Sequence, residues 1–270
     1  MTGVFAGLFV VLVLASMAGY FLHRRGPSLA IDNLNARIRA WWVMIAIGGL
    51  VLLIGRYGIV ALFAALSWAA LREFEPRLSW ASWGAWLTQY AALAAGSTLA
   101  ALVAPPILAA VSGKPAGILL CVYGLAHAPA LLLLNIPGDR AALVFFSVLI
   151  VQASDVLQYL WGKLLGRHKL APLLSPGKTV EGLVGGVLSA TLLGALLSHL
   201  TPFGPARAAW FALLLTVSGF LSGLLFSALK RQRGIKDWGQ AIAGHGGVLD
   251  RVDSLCLSAP VAYYAAPWLS

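Results

Sequence analysis

The chain is poor in charge, in acids and in cysteine. Charged residues make up 10% of its 270 positions, where a soluble domain carries roughly 25%. Hydrophobic residues make up 60%, and the mean hydropathy is +0.86. A water-soluble core of this length cannot hide so much apolar surface. The two cysteines, Cys121 and Cys256, lie in or beside apolar runs. They exclude a disulfide framework and a cysteine-based metal site. Short alternating strands are missing, which excludes the pattern of a transmembrane β-barrel. The first residues lack the basic start of a secretory signal, so the first apolar run reads as a retained span.

What is present is a series of long apolar runs, near 3–22, 41–71, 79–112, 115–134, 140–164, 179–200, 205–229 and 252–268. Several reach the ~20 residues that cross a bilayer as a helix. Helices are expected because a backbone in lipid must satisfy its own hydrogen bonds. The fold class is therefore all-α: a polytopic integral membrane protein of about 8–10 transmembrane helices, with no separate soluble domain. Residues 1–114 are expected to form an N-terminal transmembrane region and 115–270 a C-terminal catalytic one. Residues 26–40 read as an interfacial linker. In 79–112, Pro105-Pro106 either breaks one helix or turns between two.

Basic clusters lie at 23–25, 72–77, 162–169 and 230–233. Short basic loops favour the cytoplasmic side, so all four are placed there, with both termini outside. The net charge of +10 suits anionic lipid headgroups. Nucleic acid is not expected as a partner, because the basic residues are scattered among the spans.

Five of the nine acids fall between 155 and 253. Asp155 sits inside the run "LIVQASDVLQYLWG"; a carboxylate in a membrane helix is costly and marks a site. Its bland reading is a partner for Lys163 or Arg167. A second cluster is "SPGKTVEG". Ser175 and Pro176 read as the N-cap and first residue of a helix. Lys178 and Glu181 then share a face of the first turn, where free N–H groups suit phosphate. Its bland reading is a capped helix with a local ion pair. The segment is not a P-loop, since Pro172 stands where the first glycine is required.

The third cluster is "SALKRQRGIKDWGQAIAGHGGVLDRVDS", residues 227–254. Asp250 and Asp253 are three apart and share a helix face at the start of the last span. With Asp237 they offer hard oxygen ligands, and Mg²⁺ takes one or two carboxylates plus substrate phosphates. Carboxylates in a first turn are also favoured by the helix dipole alone. Lys230, Arg231, Lys236 and Arg251 supply phosphate-binding charge. His245 stands among glycines that include Gly246 and Gly247.

The third cluster resembles the signature of the phosphatidate cytidylyltransferase (CDP-diacylglycerol synthase) family. That pattern runs S-x-x-K-R, four residues, K-D, then H-G-G-x-x-D-R-x-D. Ser227, Lys230, Arg231, Lys236, Asp237, His245, Gly246, Gly247, Asp250, Arg251 and Asp253 match it. The stretch "SPGKTVEG", which includes Thr179, and the stretch around Asp155 resemble the family as well. Gln158 departs from it, standing where the family often has alanine.

The resemblance implies transfer of a cytidylyl group from CTP to phosphatidate at a membrane. The implied catalytic residues are Lys236, Asp237, Asp250 and Asp253. Asp155, Asp237, Asp250 and Asp253 are the implied metal ligands. Ser175, Lys178, Thr179, Glu181, Ser227, Lys230, Arg231, His245, Gly246, Gly247 and Arg251 would contact substrate. The expected cofactor is Mg²⁺, with K⁺ as a candidate second cation. The expected partners are CTP, phosphatidate and membrane lipid; a homodimer is left open. The expected location is the bacterial inner membrane, with the site facing the cytoplasm. Two other readings stand beside this one. One is a CTP-dependent lipid kinase, with Asp155 as base. The other is a transporter with a proton path through Asp155 and His127.

Overall fold

A computed structural model describes residues 2–270 apart from 27–34, 36–37, 39–41, 44–45, 52, 114 and 241–245. It is an all-α membrane protein. Helices α1 (Thr2–Arg25), α2 (Arg56–Phe74), α3 (Trp80–Ala95), α4 (Thr98–Val111), α5 (Pro115–Leu133) and α6 (Arg140–Leu164) come first. A hairpin of β1 (Lys169–Ala171) and β2 (Ser175–Thr179) follows. Then come α7 (Val180–Leu196), α8 (Pro205–Gln232), α9 (Leu249–Val252) and α10 (Leu255–Leu269). Among the described residues, α2, α5, α6 and α8 are long and apolar enough to cross a membrane, and 98–111 and 180–196 are shorter apolar helices. The expected linker at 26–40 lies largely outside the described residues.

Two compact units divide the chain, Met1–Ile59 and Val60–Ser270. In the first, Trp42 Nε1 donates to Ser16 Oγ at 3.0 Å, and the Trp42 ring meets Phe9 edge-on. The second unit carries every described site residue.

Residues 79–112 form a tight helical hairpin. Gly96, in the left-handed conformation at φ 82°, ends α3, and the Ser97 side chain caps α4. Pro105 and Pro106 lie inside α4 and do not form the turn. Glycine reaches that φ without the steric cost of a side chain, so the turn falls there.

Helix α5 contains a π-helical stretch, Ile118–Gly124. Such a bulge disturbs the regular backbone ladder. The Ser67 hydroxyl of α2 donates to the Cys121 carbonyl at 2.7 Å within it. Helices α7 and α8 leave Leu188, Leu192, Leu196, Trp210, Leu214 and Leu221 exposed on their outer surfaces. In a bilayer those side chains face acyl chains. The inner surfaces of α7 and α8 pack with α6 and α10. Gly186 lets α7 lie against Gln158 of α6, where a side chain would collide with the Gln158 backbone.

The hairpin corrects one expectation. Residues 175–179 are extended, and α7 starts at Val180 with Thr179 as its N-cap. The Thr179 hydroxyl accepts the Gly182 N–H at 3.1 Å. Ser175 therefore caps nothing, and Lys178 stands before the helix. The strand ladder pairs Lys169 with Thr179 and Ala171 with Ser175. Both Ser175 and Thr179 suit an N-cap, and pairing across the hairpin keeps the first in the strand.

Candidate active site

Four charged side chains meet at one end of the second unit. Asp155 comes from α6, Lys178 from β2, Lys230 from the last turn of α8, and Asp253 from the turn between α9 and α10. Asp155 lies beside Ser254, Lys178 and Arg251. Asp253 feels both lysines and the like charge of Asp155. Lys178 Nζ sits 4.5 Å from the Phe220 ring centre and against Gly223 of α8. Burial lowers the Lys178 ammonium from its ordinary value, and the carboxylates of Asp155 and Asp253 oppose that effect.

Asp250 has a different task. Lys230 Nζ donates to its Oδ1 at 2.9 Å. Its Oδ2 accepts the N–H groups of Trp238 and Gly247, both at 2.9 Å. The side chain is 7% exposed. It thus fixes the ends of the 238–247 loop and aims Lys230, which also interacts with Asp253. A two-residue turn at Asp253 and Ser254, with helical dihedrals, separates α9 from α10 at the start of the last span. The Ser222 hydroxyl of α8 donates to the Asp253 carbonyl. Asp253 lies near Asp155 and Lys178.

Sequence reasoning missed the scaffold beneath this loop. Glu73, at the end of α2, accepts the N–H groups of Val248 at 2.9 Å and Leu249 at 2.8 Å. These are orphan donors at the start of α9. A side chain at Gly239 or Gly247 would collide with the Glu73 carboxylate. Arg233 donates to the Phe74 carbonyl at 2.6 Å, and its guanidinium stacks on Phe74 and Trp238 at 4.2 and 4.9 Å. In the sequence, Glu73 belonged only to a cluster used for topology. Its one signal is that it is an acid in a chain with nine. Ser222 and Ser254 carried none.

The remaining candidates surround the four charges. Arg231 bridges two loops, donating to the carbonyls of Leu174 at 3.3 Å and Ile235 at 3.2 Å. Ser227 bonds back to Gly223 along its own helix. Lys236, Asp237 and Arg251 are exposed. Gly246 is left-handed at φ 80°, and a side chain there would press on Asp250 and reach Asp237. His245 lies outside the described residues. Glu181 sits away from Lys178; it accepts the N–H groups of Arg167 and His168 and pairs with the His168 ring. The expected Lys178–Glu181 pair fails because Lys178 is not helical. Among the described residues, no three His, Cys, Asp or Glu side chains gather as a metal cluster. A cavity of about 540 Å³ opens beside Phe74, Glu75, Arg77, Gly117 and Arg233. None of the four central charges lines it.

This arrangement can neutralise and align phosphate groups at the rim of an apolar bundle. Comparisons with known proteins agree with that chemistry. The model of the cytidylyltransferase family matches residues 77–268. A protein of Escherichia coli K-12 named Uncharacterized protein YnbB is 37% identical over 289 residues, covering 96% of each chain. The phosphatidate cytidylyltransferase of Staphylococcus saprophyticus is 38% identical over 122 residues, 44% of this chain and 46% of that enzyme. That of Staphylococcus haemolyticus is 36% identical over 128 residues, 46% and 48% of the two chains. The chain is a nucleotidyltransferase and belongs to the cytidylyltransferase family.

Proposed function

We propose that the chain transfers the cytidylyl group of CTP to phosphatidate, giving CDP-diacylglycerol and pyrophosphate. The observation that carries this reading is the grouping of Lys178 and Lys230 with Asp155 and Asp253 at the end of an apolar bundle. The attacking atom is a phosphate oxygen of phosphatidate. It forms a bond to the α-phosphorus of CTP as the bond to the bridging oxygen breaks, and pyrophosphate leaves. The attacking oxygen is already ionised near neutral pH, so the site needs no general base. The barrier is the approach of two anions, and positioned cations reduce it. Lys178 lies against Phe220 and Gly223 of apolar helix α8 and is assigned the phosphatidate phosphate. Lys230, held by Asp250, is assigned the nucleotide phosphates. Exposed Arg231 and Lys236 hold the outer phosphates.

The residues present fit Mg²⁺. Asp155 and Asp253 make a two-carboxylate donor set, which matches the way Mg²⁺ takes one or two carboxylates plus substrate oxygens. Asp250 is the weaker candidate ligand, since both of its oxygens already accept hydrogen bonds. When bound, the cation would neutralise charge on the transferring phosphoryl group. The protein is placed in the bacterial inner membrane with this site facing the cytoplasm, where CTP is available.

The test is purified full-length protein with phosphatidate and Mg²⁺, given CTP labelled at the α- or γ-phosphorus. The expected result is α label in the lipid, γ label in pyrophosphate, and no turnover with excess chelator. γ Label in the lipid would replace this reading with a lipid kinase.

A further inference from the structure

Two buried polar atoms outside the charged site share one small cavity. Gln89 of α3 is 2% exposed and His127 of α5 is 1% exposed. Gln89 Oε1 and His127 Nε2 have no hydrogen-bond partner among the described residues. A cavity of about 10 Å³ lies between the helices that carry them, lined by both side chains with Leu93, Thr98, Ala126 and Tyr263.

The chemistry of the two atoms is fixed by their surroundings. His127 Nδ1 lies 2.7 Å from the Tyr123 carbonyl. A carbonyl only accepts, so Nδ1 carries the proton and donates. In the neutral ring Nε2 is then an acceptor. Gln89 Oε1 is also an acceptor. Two acceptors cannot satisfy each other, and leaving either unmet in an apolar interior is destabilising. What meets both is a molecule with two donors, small enough for this space. One water needs about 10–15 Å³ and two or more polar partners.

We infer that this cavity is a binding site for a single structural water, which donates one hydrogen to Gln89 Oε1 and the other to His127 Nε2. The water ties α3 to α5 inside the bundle. It also holds the imidazole in the Nδ1–H form between the rings of Tyr123, Tyr263 and Tyr264, whose centres lie 4.5, 5.4 and 5.5 Å away. His127 is then a neutral packing element. That is a different role from a step in a proton path.

The experiment uses the full-length protein in lipid nanodiscs. A map at a resolution that shows ordered waters should contain one peak within about 2.7–3.2 Å of both atoms. Nitrogen NMR of labelled histidine should show His127 with Nδ1 protonated and Nε2 bare. A variant pair adds a third reading: His127→Phe and Gln89→Leu should each lower Tm, and the double variant should lose less than the sum. An empty cavity, a Gln89 amide turned to bond His127 directly, or protonation at Nε2 would each overturn the proposal. The map and the spectrum use the unaltered protein, so they decide the matter even where a variant does not fold.

Discussion

Glu73 Oε1 accepts the Val248 N–H at 2.9 Å across 175 residues of chain. With the bond to Leu249, it holds the start of α9 on the end of α2. Asp250 and Asp253 are therefore aimed from a helix end fixed outside their own segment. A carboxylate with two oxygens meets two orphan N–H donors, and one group settles both.

Glu73→Gln keeps one acceptor and leaves the second N–H facing a donor. It should cost about 1–3 kcal/mol of stability. Glu73→Ala should cost more and loosen the 238–249 loop. Thermal unfolding and limited proteolysis within that loop measure both. Unchanged protease sensitivity in Glu73→Ala would detach this residue from the loop.

Asp253→Asn and Asp250→Asn should fail in different ways. Asp253→Asn removes a carboxylate from the proposed Mg²⁺ set and should abolish turnover in a folded protein. Asp250→Asn keeps one acceptor oxygen, so it loses either the Lys230 bond or both loop N–H bonds; it should lower Tm and raise the KM for CTP as well as slow the reaction. Steady-state kinetics across Mg²⁺ concentrations, with Tm beside them, separate the two. Equal Mg²⁺ dependence in wild type and Asp253→Asn would remove Asp253 from the cation site.

Lys178→Ala should slow turnover by about 10²-fold or more, the usual effect of losing one positioned charge. It should also cost stability, because Asp155 and Asp253 lose one of the cations that offset their like charge. Lys178→Arg restores the charge and should recover stability better than rate. A variant with normal rate and phosphatidate affinity would return Lys178 to a purely structural role.

A cysteine at exposed Gln232 should report the side on which the site opens. Cys121 and Cys256 are fully buried and are replaced by alanine in the test protein. An impermeant thiol reagent should label the new cysteine only from the cytoplasmic side. Labelling of intact cells from outside would invert the arrangement and cut the site off from CTP.

The composition alone decided that this chain folds in lipid, and the spacing of Lys230, Asp237, Asp250 and Asp253 marked the segment that carries the candidate site. Both are legible because they are local: apolar run length sets a span, and a fixed spacing repeats a binding geometry. The helix start at Ser175 was misjudged because Ser175 and Thr179 can both cap, and only the ladder to Lys169 and Ala171 chooses between them. Glu73 was invisible as a site residue because its partners lie 175 and 176 residues away. The pairing of Asp155 with Asp253 was decided the same way. It requires α6, α8 and the turn after Val252 to meet, and no window of sequence contains all three.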